Sequence, residues 1–489
     1  MVSKDLQPRI DVPEFDDVDA QQDHAMFLCA GKHILERIGF CLIPSFLQRK
    51  MKPNSVKMQR LHPTSYLDGL RGVASFIVFM GHYTEENVGW YQEPYGLYED
   101  GARSSPLQLP IIRVLYSARP MVHIFFVISG FVLAYKPLQH IHAQQYSALA
   151  TTLSSSVFRR AIRLFLPSFV GLLIMALAVY FEISAPTYAF PAISMTSQLR
   201  HWWGTCWYLL QSMWYWDDTQ LPPYNPALWT IPIEFAQSLV LFLIILGLSR
   251  CKVNVRLTLL ACICLFCFYS LRWATVEFLG GMCLAEITLI QKGSLDRSPI
   301  SSPKLLPKYK LEAEPVFLAK ESEKKCKTMQ VFFYANLLSG LFIASWTNNH
   351  VEETWGLAFL NAHTPAPYSG QRIWFLIAAF QIVGACTQIR ALQSIFNTSI
   401  AQYLGSLSFA LYLMHNLVLQ TMERHVAPVL MDYLPKASFW GRQGFWLAGL
   451  CIYVPVLIWV SDLFWRMVDI PSVRFARWLE AKCLVSKKS

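Results

Sequence analysis

Arg71 and His82 stand eleven positions apart in a run that begins Tyr66-Leu67-Asp68-Gly69-Leu70-Arg71-Gly72. Eleven residues make about three helical turns, so both side chains share one helix face, roughly 16 Å apart along the axis. A guanidinium at one end of such a face can hold an anionic cofactor, and an imidazole at the other can act as a base. The bland alternative is that Arg71 snorkels to phosphates at one membrane surface while His82 marks the other. Arg159, Arg160 and Arg163 form a second cluster. Their planar forks suit phosphate, although such a cluster also serves simply to orient a membrane protein. Glu234 lies inside the otherwise apolar stretch 226–235. A carboxylate there must find a partner helix, protonate or face a wet cavity. Ser408, Tyr412 and His415 follow i, i+4, i+7 spacing and so line one face, as catalytic groups or as bonds between helices. His123, Glu277, Glu286 and Gln381 also fall in or near apolar segments and receive no role, while Asp462 can pair with Arg466 four residues on.

The elements that must position these residues follow from composition. The chain has 489 residues, 54% hydrophobic, 14% aromatic and only 15% charged, against about 25% charged in an ordinary soluble domain. A single globular core also stops growing near about 250–300 residues. One compact soluble domain is therefore excluded, and an all-α polytopic membrane bundle is expected. The net charge of +10, from 42 basic and 32 acidic residues, fits cytoplasmic loops. No basic stripe with interleaved aromatics points to nucleic acid. Twelve cysteines give no metal or disulfide pattern, and Cys262, Cys264 and Cys267 sit in an apolar run, where thiols behave as small hydrophobes, so no metal site is expected. Asp5, Asp11, Asp16, Asp17 and Asp19 open the chain without an apolar core of a signal peptide, so an internal span must insert it.

A span needs about 20 apolar residues. Candidates lie near 66–84, 118–136, 163–183, 228–249, 256–271, 273–290, 329–346, 372–389, 402–421 and 444–466. The stretch 201–216 is shorter and rich in tryptophan (Trp202, Trp203, Trp207, Trp214, Trp216), which reads as an interfacial or re-entrant segment. Loop charges agree. Arg49, Lys50, Lys52, Lys57 and Arg60 precede the first span with no acid among them, whereas five acids outnumber two arginines in 85–117. Lys136, Arg159, Arg160 and Arg163 follow the second span. If 201–216 does not cross, then Arg250, Lys252 and Arg256, the loop 291–328 and the basic tail with Arg474, Arg477, Lys487 and Lys488 all fall inside. Ten spans with both termini cytoplasmic result. The organisation is a tail of residues 1–65, with 33–48 apolar enough to lie along the membrane surface, a membrane domain of 66–466 and a basic tail of 467–489. The proline- and charge-rich loop 291–328 reads as a flexible linker. No internal repeat is visible.

In order and spacing these segments resemble the acyltransferase 3 family of integral membrane acyltransferases. Arg71, ten residues and His82 are similar to its first-span motif, here with Asp68-Gly69-Leu70 before the arginine. Phe125-Phe126-Val127-Ile128-Ser129-Gly130-Phe131 resembles its second-span signature, and Arg159, Arg160 and Arg163 its basic segment. Trp229-Thr230 with Glu234 resembles its Trp-Ser-Leu-x-x-Glu element. Ser408 to His415 resembles its Ser-Tyr-x-x-Tyr-Leu-x-His element, with Phe409 in place of the first tyrosine. The resemblance implies ten core spans and transfer of an acyl group, often acetyl, from acyl-CoA to a hydroxyl. It also points to a fungal-type member without a fused hydrolase-like domain, as in secondary metabolism. His82 and Glu234 become the catalytic candidates, with Glu234 orienting His82. Arg71, Arg159, Arg160 and Arg163 become the acyl-CoA site, with Asp68, Ser408, Tyr412 and His415 as further candidates. Outer loops 184–227 and 347–371 would shape an acceptor pocket. A proton-coupled exporter is the alternative, and an inactive scaffold a third. The bilayer is an endomembrane, the ER among them, or the plasma membrane. Acceptor, acyl length and oligomeric state are not legible. On this topology the sequon Asn397-Thr398-Ser399 faces the cytoplasm, so Asn397 stays unglycosylated in the cell. Mass-spectrometric detection of a glycan there would overturn the orientation.

Overall fold

The computed structural model describes residues 39–51, 61–97, 103–296, 316–368 and 370–484, in two units, Met1–Met58 and Gln59–Ser489. In the first unit the helix Ser45–Met51 exposes Phe46, Leu47 and Met51, and Gln48 Nε2 donates to the carbonyls of Phe40 and Ile43. Residues 33–38 of the expected surface segment, the lysines of 52–60 and the last five residues lie outside the described residues.

Among the described residues of the second unit, every regular element is a helix. The main ones are α1 (Ser65–Asn87), α2 (Ala118–His142), α3 (Tyr146–Tyr180), α4 (Met195–Gln211), α5 (Thr230–Gly247) and α6 (Val253–Tyr269). They continue as α7 (Trp273–Asp296), α8 (Val316–Ala344), α9 (Gly370–Gln388), α10 (Ser399–His425), α11 (Phe439–Phe464) and α12 (Ile470–Cys483). Each expected span falls on one of them. Five helical stretches are long and apolar enough to cross a membrane: α2, α3, Pro226–Gly247, Trp273–Gly293 and Phe439–Cys483. A sixth arises if α9 and the short helix Arg390–Phe396, bent by 95°, count as one. The apolar helices Val253–Tyr269 and Thr328–Ala344 are shorter. α1 and α10 are long, at 23 and 27 residues, but polar side chains dilute their apolar ones. The loop 291–328 needs correction. Residues 291–296 continue α7 and 316–328 begin α8, so only 297–315 remain outside the described residues.

α4 is the tryptophan-rich stretch. Ser194 caps it by accepting from Ser197 N–H. It buries Gln198, Thr205, Cys206 and Leu209 and exposes Trp203 and Trp207, as a one-sided helix does. Gln198 Nε2 donates to Ala176 O at 3.0 Å and Trp202 Nε1 to Phe169 O at 3.1 Å, so α4 runs back along α3. Beyond it, the buried Asp217 accepts from Gln237 Nε2 and from Ala274 N–H, which ties the segment to α5 and to the start of α7. Burial pushes the Asp217 carboxyl up to about 6.

Two helix pairs carry the most extensive packing, α1 with α10 and α2 with α7. Both run parallel. Arg71 meets Ser408 and His82 meets His415 along the first. His123 meets Glu277 and His142 meets Glu286 along the second. Small residues let the backbones approach. A Cβ on Gly72 would collide with the backbone of Gly405, and one on Gly130 with that of Phe278. Gly204 in α4 has nothing within 4 Å. Gly72→Ala should therefore cost about 1–3 kcal/mol by overpacking, whereas Gly204→Ala should gain up to about 1 kcal/mol of helix propensity. Thermal unfolding in detergent reads both, and equal midpoints would refute the close approach.

Candidate active site

The face that the spacing of Arg71 and His82 predicts exists on α1, and α10 covers it. Near one end, Arg71 Nε donates to Ser408 Oγ at 3.0 Å, and its NH2 pairs with Asp68 at 3.2 Å. Eleven residues further, the rings of His82 and His415 stack with centroids 5.3 Å apart and planes 18° apart. His415 is wholly buried and His82 is 34% exposed. His415 Nδ1 lies 2.7 Å from Tyr412 O. A carbonyl only accepts, so Nδ1 carries the proton and Nε2 presents a lone pair. That Nε2 has no hydrogen-bond partner among the described residues. His82 Nδ1 lies 3.9 Å from Glu85, which also meets Arg119 at 3.8 Å.

Neighbouring bonds hold this arrangement. Tyr83 Oη donates to Trp446 O at 2.9 Å, and Trp446 Nε1 donates to Thr84 Oγ1 at 3.0 Å, so the residues after His82 are fixed to α11. Tyr412 Oη shares a bond of 2.7 Å with Thr230 and also donates to Ala227 O, which joins α10 to α5. Asn225 Nδ2 donates to Leu413 O at 3.1 Å, and Asn416 Nδ2 donates to Asn225 Oδ1. Asn225 and Asn416 received no role from the sequence. Both are buried, and an amide has enough donors and acceptors to bridge a backbone and a side chain.

Glu234 does not take the place expected for it. Its Oε1 accepts from Arg160 NH2 at 2.8 Å and from Ser129 Oγ at 3.0 Å. Arg160 Nε also donates to Ser238 Oγ at 3.2 Å. Among the described residues, no hydrogen bond or ion pair joins Glu234 to His82. The pair locks α2, α3 and α5 together. Arg160, only 8% exposed, is committed to it. Arg159 pairs with Glu480 of α12 at 3.2 Å. Arg163 is exposed and lies within electrostatic reach of Arg160, Arg71, Asp469 and Glu234. The structure thus brings Arg71, Arg160 and Arg163 to one region, and sets His82 and His415 further along α1 and α10. Asp462 meets Arg466 at 3.2 Å, as their spacing predicts. A π-helical turn, Trp465–Asp469, follows and delivers Asp469 toward Arg163.

The model of a family described as an acyltransferase domain matches residues 64–466, from the start of α1 to the end of α11. The chain belongs to the acyltransferase 3 family. It is an acyltransferase, the first of the alternatives that the sequence left open. Among curated proteins it is similar to the O-acetyltransferase PaAT-1 of Phomopsis amygdali, 28% identical over 91% of this chain and 88% of that protein. It is 25% identical to the acyltransferase clz18 of Cochliobolus lunatus, over 72% of this chain and 82% of that one. It is also 25% identical to the acyltransferase R4 of Phoma sp. (strain ATCC 20986 / MF5453), over 84% and 94%. No solved structure matches.

For this acyltransferase the Glu234–Arg160 pair generates a stability test. Removing one member of a buried ion pair strands the other charge, at about 3–5 kcal/mol. Glu234→Ala should lower the unfolding midpoint sharply, and Arg160→Met in that background should recover part of it. An unchanged midpoint in Glu234→Ala would free the carboxylate for chemistry.

Proposed function

We propose that this protein is a membrane-bound O-acyltransferase that moves an acyl group, acetyl foremost, from acyl-CoA to a hydroxyl of a small-molecule, lipid or carbohydrate acceptor. The observation that carries the reading is the imidazole pair of His82 and His415, set along the same two helices as the Arg71–Ser408 contact. The name of the Phomopsis amygdali relative adds weight to acetyl and to oxygen as the accepting atom.

In the proposed step, the acceptor oxygen attacks the thioester carbonyl. The carbon–oxygen bond forms, the carbon–sulfur bond breaks, and the hydroxyl proton passes to His82 and then to the departing thiolate. A neutral imidazole offers a ring nitrogen lone pair that can accept this proton and give it up again. His415 holds its ring fixed through Nδ1 and stacks against His82, so it positions the base. For the phosphates of acyl-CoA, Arg163 and Arg71 are the strongest candidates. Arg160 already serves Glu234, and Arg159 serves Glu480.

Ten spans with both termini cytoplasmic complete the proposal. Parallel α1 and α10, and parallel α2 and α7, support it. Counting α4 as a crossing would reverse one member of each pair; leaving it out keeps both parallel. The arginines then lie toward the cytoplasm and His82 toward the other side. Replacing His82 by Ala should slow transfer about 10²–10⁴-fold. Near-normal turnover by purified His82→Ala protein would reject the scheme. Arg163→Gln should raise KM for acetyl-CoA and leave kcat nearly unchanged. An unmoved KM would assign Arg163 to topology alone.

A further inference from the structure

α12 follows the last expected span, 444–466, across the π-helical turn Trp465–Asp469. Its charges are sorted by sign. The acids turn inward to α3. Glu480 pairs with Arg159 at 3.2 Å, and Asp469, at the head of α12, lies within electrostatic reach of Arg163 and Arg71. Ser472 and Ala476, one and two turns before Glu480, are buried on the same side. The bases turn outward. Arg474, Arg477 and Lys482 are exposed, and no hydrogen bond or ion pair answers them among the described residues.

Two large aromatic side chains share the basic face. Phe475 and Trp478 are 45% and 55% exposed, and their rings stack with centroids 5.8 Å apart. At about 100° per residue, Arg477, Arg474, Trp478, Lys482 and Phe475 follow one another round roughly 160° of the helix. Helices that lie on membrane surfaces combine these residue types, with aromatic rings in the headgroup layer and bases on anionic lipid. Depth agrees. Arg159 and Arg163 stand four residues apart, about 6 Å along α3, where the expected span 163–183 begins. Asp469 and Glu480, toward the two ends of α12, are both drawn to that one turn. The helix therefore stays at the level where α3 enters the bilayer.

Charge decides the partner. A second copy of this chain fits the face poorly, because two such faces brought together set base against base. A surface of anionic headgroups complements the bases and also covers the two rings. We propose that the outer face of α12 docks on anionic phospholipid, with Phe475 and Trp478 seated among the headgroups and Arg474, Arg477 and Lys482 on their phosphates and carboxylates. The choice of the cytoplasmic leaflet rests on the topology proposed above, while binding of anionic lipid by this face does not. Docking on this side steadies α12 and, through Glu480, the turn of α3 that carries Arg159.

Thermal unfolding of the full-length protein in nanodiscs, of phosphatidylcholine alone or with phosphatidylserine added, tests the surface. Wild type should unfold about 2–4 °C higher with phosphatidylserine, and the gain should shrink in high salt. The triple variant Arg474→Gln, Arg477→Gln, Lys482→Gln should match wild type in phosphatidylcholine, because the substituted side chains are exposed, and should lose the gain. In native mass spectrometry each base removed should weaken phosphatidylserine binding about 5-fold. No gain in wild type, or a gain that the triple variant keeps, would overturn the docking surface. Oligomers that the triple variant breaks apart would assign the face to a second copy and overturn it too. A glycan at Asn397 would reverse the proposed topology and move α12 to the other leaflet, leaving lipid binding by this face to stand on the nanodisc result.

Discussion

The approach of α1 to α10 is the constraint on which the rest depends. Gly72 and Gly405 leave no room for a side chain between the two backbones. Gly69 adds to the same seam, where a Cβ would meet the carbonyl of Phe396. In a bilayer, lipid tails are as apolar as leucine, so such close packing and interhelical hydrogen bonds must hold helices together. Once the glycines fix the register, Arg71 can only reach the level of Ser408, and His82 can only reach that of His415. The spacing of eleven on α1 and seven on α10 need not be equal, because side chains of different length close the gap.

Charge within the bundle follows a second rule, that a buried ion is kept only if it is answered. Arg160 answers Glu234, with Ser129 and Ser238 taking up further bonds. Arg256, only 2% exposed, meets Glu286 at 2.5 Å, and His142 adds a bond of 2.9 Å to the same carboxylate. These two clusters link five helices (α2, α3, α5, α6 and α7) and read as framework. The neutral imidazole of His415 is a different case, since its Nε2 is buried and has no hydrogen-bond partner among the described residues. An unsatisfied polar atom costs stability. Under the proposed scheme, its place against the ring of His82 gives that cost a functional reason.

How far the sequence reached can be traced residue by residue. Each of the ten apolar stretches became a helix, because twenty apolar residues in lipid have few other ways to satisfy their backbone. The face shared by Arg71 and His82, and the stripe from Ser408 to His415, were legible because helical period alone places such residues. The partner of Glu234 was not. Choosing between His82 and Arg160 requires knowing how α5 is rotated against its neighbours, and period within one helix carries no such information. The same limit hid the pairing of His123 with Glu277 across α2 and α7. The start of α8 was misread for another reason. Residues 316–328 are highly charged and follow four prolines, Pro299, Pro303, Pro307 and Pro315, so composition suggested a linker. Yet Glu321 with Lys325, and Glu323 with Lys327, have the i, i+4 order that supports a helix.

Helix direction then bears on how the site is reached. In the proposed orientation α1 and α10 both rise from the cytoplasm, so Arg71 lies low and His82 high, roughly 16 Å apart along the axis. A donor held by phosphates at the arginines must send its acyl end up this face to the imidazoles. In that scheme the acceptor would meet it from the other end, where Glu85 and Arg119 join α1 to α2 and Gln371 joins them to α9. Tying His82 to α11 through Tyr83 and Thr84 keeps that junction rigid. In the proposed scheme one face of one helix would serve two substrates arriving from opposite sides, and the three turns between Arg71 and His82 on that face fit such a division.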